Sequence, residues 1–162
     1  MKPVHRAILL TWLIAGTLDI TSAFIHQFIL TGKIFWKMFN YIAGGILGLD
    51  VSMTGGLGVV LLGLFIHYFI AFSFTLFFFL IYERFRIFTL NKYLVGILYG
   101  LLVWFVMNRL ILPFTKLPPR PFNPQNAIIG AVILIFMIGL PISIGAYNYY
   151  SKAKNNSQHG DK

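Results

Sequence analysis

Apolar residues crowd into four long stretches, about residues 7–30, 55–82, 93–112 and 126–148, and the charged residues gather in the breaks between them. A helix rises about 1.5 Å per residue and a bilayer's hydrocarbon layer is about 30 Å thick, so about 20 apolar residues cross it. The pattern predicts an all-α, polytopic membrane bundle of four transmembrane helices. The second stretch is the clearest, because residues 51–82 carry no charge and include VVLLGLFIHYFIAFSFTLFFFL. The first stands apart for another reason: AILLTWLIAGTLDITSAFIHQFIL holds Asp19 at its middle, and no other carboxylate lies inside an apolar run.

The breaks have characters of their own. Between the first two stretches, Lys33, Lys37, Asn40 and Gly44 recur at helical spacing while Ile34, Phe35, Met38, Tyr41 and Ile42 fill the other side. This predicts one amphipathic helix, about residues 33–47, lying along the membrane interface or packed over the mouth of the bundle. ERFRIFTLNK makes a short basic turn before the third stretch, in which Gly96 and Gly100 stand four apart and permit close helix approach. Five of the seven prolines sit in residues 113–124, which therefore read as an extended connection, and Pro141 is placed to kink the fourth helix. Residues 151–162, SKAKNNSQHGDK, read as a disordered tail on one 1–150 transmembrane domain. Thr21-Ser22-Ala23 loosely resembles a signal-peptidase site, but the apolar run continues to Leu30, so the expectation is an uncleaved first helix.

Composition narrows the class. With 58% hydrophobic and 10% charged residues the chain is too apolar for a soluble domain, which carries about 25% charged residues. The formal charge of +9 does not point to nucleic acid, because the thirteen Lys and Arg flank the apolar runs and form no basic face. They set orientation. Lys2, Arg6, Arg84, Arg86, Lys92, Lys152, Lys154 and Lys162 fall on one side, and Lys33, Lys37, Arg109, Lys116 and Arg120 on the other. The positive-inside rule then places both termini in the cytoplasm. With no cysteine, disulfides and thiolate chemistry are excluded.

The candidate chemistry lies on the helices. Asp19, Ser22, Ala23 and His26 share one face of the first helix, and Gly63, His67 and Ala71 share one of the second. Counting about 12 residues from opposite ends puts Asp19 and His67 near the midplane, where a charged Asp costs about 2.5–3.5 kcal/mol. Three readings stay open: a proton or ion relay through Asp19, His67 and Ser22, polar groups that only hold two helices together, and a metal site short of assured ligands. His26, Asn108 and Arg109 form a candidate outer polar layer, and Gly63, Gly96 and Gly100 candidate packing positions. Gly55-Gly56-Leu57-Gly58 lacks the Lys-Ser/Thr ending of a phosphate loop, no cofactor pattern is present, and no nucleophile with a converging base appears.

AGTLDITSA, GLFIHYFIAFSF and GILYGLLVWFVMNRLILP before a proline-rich loop together resemble uncharacterised bacterial four-span inner-membrane proteins and, more distantly, the YagU-like family associated with acid resistance. The resemblance implies a multi-pass inner-membrane protein with a link to survival at low pH, and no reaction or cofactor. The expected function is proton or ion homeostasis through a polar centre. The alternative is a structural or accessory subunit whose polar residues only fix packing and whose 33–47 segment docks a membrane partner. The expected partners are the lipid bilayer and copies of the same chain.

Overall fold

The computed structural model describes residues 3–32, 37–84, 90–119 and 121–159. Among these residues seven α-helices follow in order: α1 (Val4–Thr31), α2 (Met38–Leu47), α3 (Leu49–Thr54), α4 (Leu57–Arg84), α5 (Lys92–Phe105), α6 (Pro124–Leu134) and α7 (Leu140–His159). Two π-helical turns, Val106–Ile111 and Ile135–Gly139, extend α5 and join α6 to α7. Four rods are long and apolar enough to cross a membrane: Val4–Thr31, Leu57–Tyr82, Lys92–Phe114 and Pro124–Ser151. Between 22% and 28% of each rod's most apolar window is buried inside the protein, so the remaining apolar surface has only lipid to cover it. The chain is a multi-pass membrane protein.

Local sequence sets the helix ends. Gly32, at φ +66°, closes α1 with its N–H on the Phe28 carbonyl. Asn91 caps α5 by accepting from the N–H groups of Tyr93 and Leu94, and Asn123 caps α6 with Pro124 directly behind it. Both π turns lie just ahead of a proline, Pro113 or Pro141. Proline has no N–H to give and its ring crowds the carbonyl four residues back, so the wider turn lets that carbonyl step aside without breaking the rod.

α1 packs against α4 and α7, while α5 packs against α7 and the π turn before it. The apolar core gathers toward the end where α4 finishes and α5 begins, around Phe78, Phe79, Tyr82, Val95, Tyr99, Val103, Ile138 and Ile142. Of the three consecutive phenylalanines only Phe77 faces outward. Glycines join the second half: a Cβ on Gly100 would stand 2.5 Å from the Ile135 Cα, and one on Gly139 would overlap the Gly96 carbonyl.

Three details differ from the sequence reading. First, the polar side of α2 faces inward: Asn40 and Gly44 are buried, and Asn40 donates to the Ser52 and Gly55 carbonyls at 2.7 and 3.0 Å. At the end of α3 the Ser52 carbonyl accepts from the Gly55 N–H at 3.2 Å, and the Asn40 amide gives it a second donor while also reaching the Gly55 carbonyl. α2 is thus a short apolar helix packed on α4 over the bundle's mouth, while Lys33 lies outside the described residues. Second, α3 itself was not expected. Third, α7 continues past Ser151 to His159 where a disordered tail was expected. Residues 151–159 contain no Pro or Gly, and adding a residue to an existing helix needs no new nucleus.

Candidate functional site: a polar crossing between α1 and α4

α1 and α4 meet closely at Gly16, where a Cβ would lie 3.1 Å from the Tyr68 ring and 3.3 Å from Ala71. The missing side chain brings the Gly16 carbonyl within reach of α4, and His67 uses it: Nε2 lies 2.9 Å from that oxygen. A carbonyl only accepts, so Nε2 carries hydrogen and Nδ1 is left as the atom that gains or loses a proton. Asp19 sits one turn along the same face of α1, half-buried, with the imidazole of His67 within electrostatic reach of its carboxyl. Among the described residues no hydrogen bond or ion pair joins Asp19 to His67; the direct bond of His67 runs to the Gly16 backbone one turn away.

Other bonds tie the same crossing. Trp12 Nε1 donates to the Tyr68 carbonyl at 2.7 Å, and the Thr17 and Tyr68 hydroxyls lie 2.9 Å apart. The Trp12 ring meets Tyr68 and Phe72 edge-on, at 5.9 and 5.4 Å between centroids, and His67 meets Tyr68 in the same way at 5.2 Å. Hydrogen bonds between membrane helices are worth about 0.6–2 kcal/mol each. Each helix thus offers a side-chain donor to a carbonyl of the other, and the register is held from both sides.

The remaining candidates separate. Ser22 donates to the Asp19 carbonyl of its own helix at 2.7 Å, which spends its hydrogen on local backbone. His26 is half-buried on α1, a turn beyond Ser22. Asn108 bonds back to the Trp104 carbonyl at 2.9 Å, and Arg109 lies 5.3 Å from the Phe122 ring, both exposed. The expected outer layer is not drawn together. Depth alone does not bring them to His26, because α5 packs on α7 while α1 packs on α4 and α7. Gly63 faces α2, where an added Cβ would overlap the Phe39 carbonyl, so the line of Gly63, His67 and Ala71 divides between two neighbours. Gly96 and Gly100 do lie at a helix contact, completed by Gly139.

Sequence reasoning passed over Trp12, Thr17, Tyr68 and Asn40. Trp12 lies one turn before Gly16, and that spacing was the available signal. Tyr68 adjoins His67 and Thr17 stands two residues before Asp19, and residues one or two apart on a helix usually point to different faces. Among the described residues no three His, Cys, Asp or Glu side chains converge as metal ligands would. No family model matches the chain, and no curated protein or solved structure matches it either.

Proposed function

We propose that this membrane protein serves proton or ion homeostasis, with His67 and Asp19 as a proton-responsive centre at the α1–α4 crossing. One observation carries the reading: His67 is held by Nε2 on the Gly16 carbonyl, which leaves Nδ1 as its protonating atom with the Asp19 carboxyl as electrostatic neighbour. A proton added there changes the charge of a pair sheltered between two helices, and such intramembrane ionisable pairs serve proton paths in many membrane proteins. The resemblance to the YagU-like family supports a role in acid tolerance. The reading takes the membrane to be a bacterial inner membrane, both termini to be cytoplasmic, and the working unit to be an assembly of several copies, since one bundle encloses little interior.

Proton flux into liposomes holding the purified protein tests this, with wild type, Asp19→Asn and His67→Ala compared. Flux above that of empty liposomes, lost in both variants while far-UV circular dichroism is unchanged, supports the centre. A second reading, a structural or accessory subunit, is favoured by the bonds of Trp12, Thr17 and Tyr68 that surround His67 and hold the same crossing. It expects no flux from any form and loss of stability in His67→Ala.

A further inference from the structure

The end of the bundle where α5 begins carries a second polar feature, far from His67. A pocket of about 210 Å³ is lined by Leu90, Asn91, Lys92, Tyr93 and Tyr147. The Lys92 ammonium lies 4.8 Å from the centroid of the Tyr147 ring and 5.2 Å from that of Tyr93. Among the described residues no carboxylate pairs with it. The backbone beneath is fixed: the Ser143 hydroxyl donates to the Lys92 carbonyl at 2.7 Å, and Asn91 caps the first turn of α5. A half-buried cation thus stands at a set position between two aromatic rings, and none of the carboxylates whose side chains are described answers it.

We propose that this pocket binds the phosphodiester of an anionic phospholipid. The ammonium supplies the charge, and tyrosines are suited to headgroup depth because one end is apolar and the other polar. What distinguishes a lipid from a soluble phosphate is the wall above the pocket. Tyr93, Ile97 and Leu101 follow one another at helical spacing along α5, exposed by 54%, 40% and 42%, and lead from the pocket into the bilayer. A free anion would use Lys92 alone. A phospholipid would also lay an acyl chain on that wall.

The test uses the full chain in nanodiscs of phosphatidylcholine doped with phosphatidylglycerol, the lipid retained on the protein being counted by native mass spectrometry. Wild type is expected to retain phosphatidylglycerol over phosphatidylcholine, and Lys92→Gln to lose about tenfold of that preference, the equivalent of one charged contact. Lys92→Arg should keep it, and so should Arg84→Gln, which removes an exposed cation from the same end without touching the pocket. Equal retention of the two lipids by wild type, or an unchanged preference in Lys92→Gln, overturns the proposal. An equal loss in Arg84→Gln also overturns it, since diffuse charge would then be the attraction. Displacement of phosphatidylglycerol by millimolar inorganic phosphate would assign the pocket to a soluble anion instead.

Discussion

Gly100→Ala is the most direct perturbation of the way α5 and the fourth rod are joined. The added methyl carbon would lie 2.5 Å from the Ile135 Cα and 3.0 Å from its nitrogen, about an ångström inside ordinary contact. Both atoms are backbone, so no rotamer change relieves the overlap and the two rods must move apart. Overpacking of this kind costs about 1–3 kcal/mol, and rigid obstacles put it at the upper end. Alanine returns up to about 1 kcal/mol through its better helix propensity, which leaves a net destabilisation of about 2 kcal/mol. Gly58→Ala is the control: it lies near the start of α4 with nothing within 4 Å of the added carbon, so propensity acts alone. Unfolding by SDS in mixed micelles, followed by far-UV circular dichroism, measures both against wild type. If Gly100→Ala matches wild type within about 0.5 kcal/mol, the backbones do not approach as closely as described and the reasoning fails.

Other substitutions probe the polar contacts in the same assay. Asn40→Leu should destabilise by about 1–3 kcal/mol, because it removes one of the two donors to the Ser52 carbonyl and the side-chain donor to the half-buried Gly55 carbonyl; an unchanged midpoint would mean that water replaces both bonds. Trp12→Phe keeps an aromatic ring but loses the bond to the Tyr68 carbonyl and part of the indole's volume, so a loss of about 1–3 kcal/mol is expected, and an unchanged midpoint would remove Trp12 from the crossing. His67→Gln can still donate to the Gly16 carbonyl but cannot take up a proton; it should keep most of the wild-type stability and lose any flux in liposomes, whereas a flux equal to wild type would remove His67 from the path.

The four spans were legible because the bilayer imposes a length and an apolar composition that few other structures need. The depth of Asp19 and His67 was legible for a related reason: helix rise is fixed, so counting from opposite ends places residues of antiparallel rods at matching levels. Their exact contact was not, because it depends on a backbone atom. Helix carbonyls point toward the C-terminus, so the Gly16 oxygen projects toward Asp19 and meets the imidazole first. The inward turn of α2 escaped notice because a polar stripe is read as a water-facing side, and only the position of α3 reveals carbonyls for Asn40 to answer. The outer layer of His26, Asn108 and Arg109 rested on shared depth, and depth does not tell which rods are neighbours: α5 packs on α7.

The two halves of the bundle are held by different physics. Between α5 and the fourth rod, Gly96, Gly100 and Gly139 bring backbones into contact, and this glycine seam has no side chain of its own to titrate and no slack to take up a shift. Between α1 and α4 the contact rests on bonds from Trp12, Thr17, Tyr68 and His67, each worth little alone and one of them made by an imidazole. A change of charge on His67 therefore acts on the weaker, polar crossing and leaves the glycine seam untouched. On the proposed function, the displacement that follows a proton is that of α1 against α4. Cross-links placed across that crossing should then abolish the response, while cross-links across the α5 seam should leave it intact.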